Sequence, residues 1–263
     1  MPTSDEILTL AIETSNPSLV GAHEPGTPPA EPGMGPGVVV GLASTKAGDG
    51  TLARVLAWRA LERAHPNEDP LAALIDACVR DAGAKPSDLR RVAVSVGPGG
   101  FTSVRVAVTT AKLMAEATGA ACVGVPSALV AAWGLRHASQ ATKFPLAIAL
   151  ASKGESAWVA VYGSDLSLRG DPRVITAREV ASLASEGVQT LARDGFLPPA
   201  MEVAATEAGL TCVGLELAAR GVLELSASIE PVDPATLAPI YPREPEAVTK
   251  WRAMGRGPGA ERR

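Results

Sequence analysis

The chain has 263 residues, of which 46% are hydrophobic and only 3% aromatic, and its formal net charge at pH 7 is −4. This length is sufficient for one large domain or two small lobes, with a buried core built from Ala, Val and Leu. The acidic excess argues against a broad nucleic-acid-binding surface, which would be basic, but does not exclude a local basic patch.

The cysteine pattern and the apolar segments indicate a protein of the reducing cytoplasm. Cys78, Cys122 and Cys212 are odd in number and far apart in sequence. Neither a disulfide framework nor a cysteine-based zinc site is therefore predicted, and each should be an ordinary buried thiol. The first residues lack the features of a signal peptide, and no apolar stretch reaches the length of about 18 residues that spans a membrane.

The first part of the chain predicts three β-strands and one amphipathic helix. Apolar, β-branched runs indicate strands at 7–13, 38–44 and 52–58. Residues 24–37 contain five prolines and four glycines, a density that permits neither helix nor strand, so we expect a solvated loop there. Asp69-Pro70 is a typical helix start. The apolar face of the helix that follows consists of Leu71, Leu74, Ile75, Cys78 and Val79.

A strand at 92–96 leads into a glycine-rich turn, VGPGGFTSVR, at residues 96–105. The turn fits neither a P-loop nor a dinucleotide-binding fingerprint, because Thr102 stands where both motifs require a glycine and the next lysine is Lys112. Its glycines permit close approach of the backbone, Thr102 or Ser103 can cap the following helix, and a helix N-terminus can bind an anion. Two roles therefore remain open for the turn: binding an anion, or only connecting a strand to a helix.

The helix after this turn, predicted at 102–118, is apolar on more than one side. A ridge of small residues on one flank consists of Ala107, Ala111 and Ala115. The apolar residues of another flank are Val106, Leu113 and Ala117. A helix that is apolar on two sides must bury both, so one flank should pack on the sheet and the other should contact a second helix or another protein.

The remainder of the chain continues the alternation of strands and helices. Further strands are predicted at 121–125, 146–151, 157–162, 188–192 and 212–215. Further helices are predicted at 128–136, 177–185 and 215–221. This order of elements predicts an α/β protein with two small lobes.

Three segments resemble the TsaB (YeaZ) family. Residues 88–124, DLRRVAVSVGPGGFTSVRVAVTTAKLMAEATGAACVG, resemble its signature, a GPGSFTGLRIG-like turn followed by a TAKGLA-like helix. LAIETS at 10–15 resembles the family's opening LAIDTS strand, and DPATLAPIYPREPEA at 233–247 resembles its closing segment. The resemblance implies the two-lobed fold of actin/Hsp70-like ATPases, the ASKHA or RNase H-like fold, with a reduced second lobe.

The order of the elements and the resemblance together predict a division of the chain. Residues 1–126 would form the first lobe, joined by the closing segment 216–247. Residues 127–215 would form the smaller second lobe, and 248–263 would be a disordered tail.

The function implied by the resemblance is that of a non-catalytic partner. TsaB-like proteins bind the related enzyme TsaD and, with the ATPase TsaE, support threonylcarbamoylation of adenosine 37 in tRNAs that read codons beginning with A. We therefore expect no cofactor in this chain, ATP and metal in the partner subunits, and contact with tRNA through the complex. The helices after residues 69 and 102 would contact TsaD or a second copy of the chain. Their contacting residues would be Leu71, Leu74, Ile75, Cys78, Thr102, Arg105, Ala107, Val108, Ala111 and Ala115. For Arg105, an exposed position or a salt bridge within the chain is the alternative.

Two departures from the family pattern bear on nucleotide binding. Glu13 stands where the family's first strand has an aspartate, and the second-lobe turn ASKGES, at 151–156, lacks the family's acidic residue. A degenerate ATPase-fold protein that binds nucleotide weakly, or an acyltransferase or peptidase, remains the alternative. The residues that would contact an anion or a nucleotide are Glu13, Thr14, Ser15, Gly97, Gly99 and Gly100.

No catalytic residue and no metal site is predicted. The histidines at 23, 65 and 137 are each alone in the sequence, with no HExxH pair, and no GxSxG nucleophile motif occurs. We therefore expect the chain not to act as an enzyme on its own.

Overall fold

The first lobe is built on a five-stranded mixed sheet. The computed structural model describes residues 6–16, 33, 35–44, 53–61, 70–138, 142–215, 217–243, 248 and 250–251. The strands of the first sheet are β1 (Glu6–Glu13), β2 (Gly37–Ser44), β3 (Arg54–Ala60), β4 (Arg91–Ser95) and β5 (Ala121–Val125). Their order is β3-β2-β1-β4-β5. Strands β1, β2 and β3 form an antiparallel meander, whereas β4 and β5 run parallel to β1.

The second lobe repeats this topology. Its strands are β6 (Leu146–Lys153), β7 (Ser156–Tyr162), β8 (Arg173–Thr176), β9 (Thr190–Arg193) and β10 (Thr211–Gly214). The order is β10-β9-β6-β7-β8, with an antiparallel meander from β6 to β8 and with β9 and β10 parallel to β6. Two sheets with the same order and directions, one after the other along the chain, confirm the predicted two-lobed fold class.

Six α-helices of the described residues cover the sheets. They are α1 (Leu71–Asp81), α2 (Phe101–Thr118), α3 (Ser127–Ala138), α4 (Val180–Ser185), α5 (Pro199–Glu207) and α6 (Ala219–Leu225). Helices α1 and α2 pack on one face of the first sheet, and α4 and α5 pack on one face of the second. Helices α3 and α6 lie in a core that includes strand residues of both lobes. None of the helices in the described ranges is long and apolar enough to cross a membrane.

The core around α3 and α6 is shared between the two lobes. Val39 and Ala93 of the first sheet belong to the same buried cluster as Ile148 and Ala192 of the second. The two helices approach closely at Gly221, where an added Cβ would lie 2.7 Å from the ring of Trp133. The lobes are therefore joined by packed apolar side chains as well as by the chain itself.

After α6 the chain returns to the first lobe. The amide of Val232 donates to the carbonyl of Cys122, and the amide of Ile240 donates to that of Val96, at 2.8 Å each. The ammonium group of Lys112 donates to the carbonyls of Ala235 and Leu237. These bonds fix the segment along β5 and α2.

Several predicted boundaries differ from the structure. Helix α2 begins at Phe101 with Gly100 at the N-cap, so Thr102 and Ser103 lie inside the helix and neither caps it. The helix predicted at 215–221 is α6, which begins at Ala219, four residues later than predicted. Strand β8 and helix α5 were not predicted. Asp69, the segment 24–32 and most of the predicted tail lie outside the described residues.

Candidate functional site

The polar residues predicted from the sequence meet at the carboxyl ends of β1 and β4. Residues 13–16 follow β1, and the glycine turn follows β4 and leads into α2. This edge of an α/β sheet is the usual place for a ligand site. The structure therefore brings Glu13, Thr14 and Ser15 close to the turn that contains Gly97, Gly99 and Gly100.

Glu13 is enclosed in the protein. Its side chain is 0% exposed, and its Oε1 accepts hydrogen bonds from the amide and the hydroxyl of Ser15, each at 2.7 Å. Its Oε2 has no hydrogen-bond partner in the described part of the chain, and the same holds for the Thr14 hydroxyl. Burial raises the pKa of Glu13, and hydrogen bonds from Ser15 and Ser95 offset part of this rise. The carboxyl group thus fixes the end of β1 and does not face solvent.

The glycine turn packs directly on the end of β1. The amide of Gly100 donates to the carbonyl of Ser15 at 2.7 Å, and the carbonyl of Gly97 accepts from the amide of Ser127 at 2.8 Å. A Cβ at Gly99 would lie 2.9 Å from the Ser15 carbonyl carbon, so only glycine permits this approach. Ser15 therefore occupies the Gly100 amide, one of the donors that a phosphate cradle at this turn would use.

Two further contacts join the turns of the two lobes, and the sequence reasoning missed both. The amide group of Asn16 donates to Oδ2 of Asp194 at 2.9 Å, and both residues are buried. Arg243 donates to the carbonyls of Ala151 and Ser156 and to the Ser156 hydroxyl. The signals available in the sequence were the Asp194-Gly195 pair after β9 and the arginine of the PIYPR stretch.

The residues at this site do not fit a Mg-nucleotide clamp. Such a clamp needs convergent acidic groups, but Glu13 is fully buried and Glu155, the acid of the second-lobe turn, is exposed. Across the described ranges, no three His, Cys, Asp or Glu side chains are grouped so that they could hold a metal ion. No catalytic step follows from this geometry.

The predicted partner interface is wrong for most of its residues. Seven of them are buried within the first-lobe core, because they face the sheet and pack against strand residues such as Val92 and Val94. These seven are Leu71, Ile75, Cys78, Ala107, Val108, Ala111 and Ala115. Leu74 is half-buried against the same core. Thr102 and Arg105 are exposed, as an interface would require.

The other flank of α2 does face solvent and carries large apolar side chains. We call it the outer face of α2, and it consists of Phe101, Thr102, Arg105, Val106, Thr109, Thr110 and Leu113. Leu113 is 65% exposed and Phe101 is 60% exposed. A shallow pocket of about 390 Å³ is lined by residues of this face.

The first turn of the outer face is an aromatic and cationic cluster. The guanidinium carbon of Arg105 lies 4.9 Å from the centroid of the Phe101 ring, a cation–π arrangement. The Phe101 and Tyr241 ring centroids are 5.6 Å apart. An exposed apolar surface with a cation at its edge is typical of a protein contact.

Comparison with known proteins relates this fold to tRNA modification. The family model described as "TsaD: tRNA N6-adenosine threonylcarbamoyltransferase" matches residues 61–246, more than half of the chain. No curated protein sequence matches the chain significantly.

Two similar solved structures share the fold at low sequence identity. One is a Pseudomonas aeruginosa protein described as uncharacterized with similarity to peptidase YeaZ, with 19% identity and a TM-score of 0.60. The alignment covers 90% of this chain and 100% of that chain. The other is YeaZ from Pseudomonas aeruginosa, with 18% identity, a TM-score of 0.58 and coverage of 89% and 99%. These likenesses confirm the YeaZ-like fold expected from the sequence.

Proposed function

Because the chain belongs to the family of TsaD, the tRNA N6-adenosine threonylcarbamoyltransferase, we propose that it acts in tRNA threonylcarbamoylation as a subunit that binds a TsaD-like enzyme. In this role the TsaD-like enzyme carries out the transfer to adenosine 37, and a TsaE-like ATPase completes the system. The chain itself carries no cofactor, and ATP and metal are bound by the partner subunits. The complex acts in the cytoplasm and contacts tRNA as a whole.

The exposed outer face of α2 is the observation that carries the proposal. Phe101 and Leu113 lie three turns apart on an 18-residue helix, and more than half of each side chain is in contact with water. Because both side chains are already partly buried, burying the rest against a partner would stabilise a complex by about 1–2 kcal/mol each. A helix of this length can pack against a partner helix over its whole exposed flank. Arg105 would contact a carboxylate of the partner.

The closed arrangement at the end of β1 supports a non-catalytic role. A general acid, a general base or a metal ligand must reach the reacting group. Glu13 cannot do so, because its carboxyl group is enclosed and bonded to Ser15. The Ser95 and Ser127 hydroxyls, which lie 2.7 Å apart, are also buried. Weak nucleotide binding, the alternative interpretation of the sequence, has less support, because the enclosed carboxyl group of Glu13 cannot contact a bound nucleotide.

A pair of matched variants tests the docking face. We expect Leu113→Glu to weaken co-purification with the cognate TsaD-like enzyme at least about tenfold, because it replaces the most exposed large apolar side chain of this face with a charge. The control is Val203→Glu, because Val203 is 57% exposed on α5 of the second lobe. The control should bind as the wild type does, and both variants should keep the wild-type Tm. Equal binding by Leu113→Glu and the wild type would exclude the outer face of α2 as the interface.

A reconstitution assay tests the assignment to threonylcarbamoylation. With the TsaD-like and TsaE-like proteins, ATP, threonine and bicarbonate, the wild type should restore threonylcarbamoyladenosine in tRNA, and Leu113→Glu should restore less. The chain alone should modify no tRNA. Modification by the chain alone would contradict the non-catalytic role. Heat from Mg-ATP in a calorimeter would instead favour the nucleotide-binding alternative.

The oligomeric state of the free chain is a second test of the same surface. Without its partner, the exposed face of α2 should pair two copies of the chain. Size-exclusion chromatography with light scattering should show a dimer at high concentration for the wild type and for Val203→Glu, and a monomer for Leu113→Glu. A dimer that persists in Leu113→Glu would place the dimer contact elsewhere.

A further inference from the structure

The C-terminal segment 237–243 connects the two lobes at the site. We call it the interlobe strap. At its first-lobe end, Leu237 is buried in the core, its carbonyl accepts from Lys112 at 2.9 Å, and the Ile240 amide donates to the Val96 carbonyl. The carbonyl oxygen of Ile240 would lie 3.3 Å from a Cβ at Gly97. The strap therefore lies directly on the glycine turn.

At its second-lobe end the strap is held by hydrogen bonds from one guanidinium group, that of Arg243. Arg243 donates to the carbonyl of Ala151 on one side of the β6–β7 turn and to the carbonyl and hydroxyl of Ser156 on the other, at 3.1 and 3.0 Å. The strand register is interrupted between Leu150 and Lys153. Ala151 has φ 51° there, a left-handed conformation that residues with a Cβ rarely adopt. A planar donor that spans both sides of a turn fixes the shape of that turn.

The polar residues at the end of β1, beside the glycine turn that the strap contacts, are shielded from water. Glu13, Thr14, Ser15 and Asn16 are all buried, and Asn16 is bonded to Asp194 of the second lobe. If the lobes moved apart at this edge, these residues would be exposed and the contact between Asn16 and Asp194 would break. The shared core around α3 and α6 would still join the lobes.

We propose that the interlobe strap is a lock: Arg243 holds the β6–β7 turn to the glycine turn and so keeps the two lobes closed over residues 13–16. The lock does not depend on the proposed partner or on the tRNA reaction. Releasing Arg243 opens the edge at the carboxyl ends of β1 and β6, while the shared core acts as the hinge.

Hydrogen exchange measured by mass spectrometry on the full chain tests the lock. In Arg243→Ala, amides in two regions, 151–156 and 13–16, should exchange at least about tenfold faster than in the wild type, because charged hydrogen bonds no longer hold the edge. The control is Arg173→Ala, which removes an exposed ion pair with Glu186 in the same lobe. The control should leave both regions unchanged.

A second variant keeps the test valid if Arg243→Ala does not fold. Arg243→Lys retains the positive charge, but a single ammonium group cannot reach both sides of the turn. It should give faster exchange in both regions, to a smaller extent. If the change in exchange is confined to residues 151–156, Arg243 only shapes a local turn and the lock is wrong. No change in either region would also overturn it.

Discussion

Gly99 is the position where a single added methyl group should most directly disturb the site. Its φ does not lie in the left-handed region, so backbone conformation alone would allow any residue there. However, a Cβ would overlap the carbonyl oxygen of Ser15 and lie 2.9 Å from the carbonyl carbon. The glycine turn would have to move away from β1, and the hydrogen bond from the Gly100 amide to the Ser15 carbonyl would be lost.

The expected loss of stability follows from these two effects. Overpacking costs about 1–3 kcal/mol and the lost hydrogen bond about 1 kcal/mol, so Gly99→Ala should lower the free energy of unfolding by roughly 3 kcal/mol. For a chain of this size, the Tm from calorimetry or CD melting should fall by about 6–12 °C.

A matched glycine provides the control for this experiment. A Cβ at Gly195 meets no atom within 4 Å, and its φ is also outside the left-handed region, so Gly195→Ala should leave the Tm unchanged or raise it slightly. A Tm of Gly99→Ala within about 2 °C of that control, a difference worth less than 1 kcal/mol, would refute the close packing of the turn on β1.

Three further predictions test the buried groups. Ala111→Glu should unfold the protein or lower its free energy of unfolding by more than about 3 kcal/mol, because it buries an unpaired charge. Ala117→Glu, on the exposed flank, should not have this effect. Equal urea midpoints for the two variants would contradict the orientation of α2. Burial holds the pKa of Glu13 above its ordinary value of 4.5, so the folded state keeps a proton that the unfolded chain releases. The free energy of unfolding should therefore fall as the pH rises from 4.5 through the raised pKa. Glu13→Gln should abolish that decrease, measured by urea unfolding at a series of pH values above 4.5. An unchanged pH slope would show that Glu13 is ionised in the folded protein. Burial raises the pKa of Cys78 to about 11. Its alkylation by iodoacetamide should therefore be at least about 100-fold slower in the folded protein than in urea. Similar rates in the two conditions would place the thiol at the surface.

Most of the strands and helices were predictable because their signals are local. Strand β5 has the predicted limits, and the limits of β1, β4 and α2 agree within one residue. Helix α5 was not predicted, although it begins at Pro199 and proline is favoured in the first turn of a helix. Strand β8 is only four residues long, and its burial does not alternate simply. Short elements of this kind are specified by their neighbours in the sheet more than by their own residues.

The orientation of α2 could not be derived from its pattern alone. Periodicity shows that the helix has two apolar flanks, but it does not show which flank faces the sheet. The structure places the alanine ridge inward, because small residues let the helix lie close to β4, and leaves Leu113 outside. The bond between Asn16 and Asp194 joins residues 178 positions apart in the chain. Its existence depends on how the two sheets face each other, which no local pattern encodes.

The position of α6 has a consequence for how the protein is made. This helix packs against β1, β2 and β4, which precede it by more than a hundred residues. During synthesis, the inner surface of the first sheet therefore stays uncovered while the whole second lobe emerges from the ribosome. The first lobe cannot complete its folding at that stage, because its apolar interior is covered only after residues 219–225 have been synthesised. Translation must therefore pass residue 225 before the apolar interior of the first lobe is covered, and a ribosome that stalls earlier would release a fragment with exposed apolar surface.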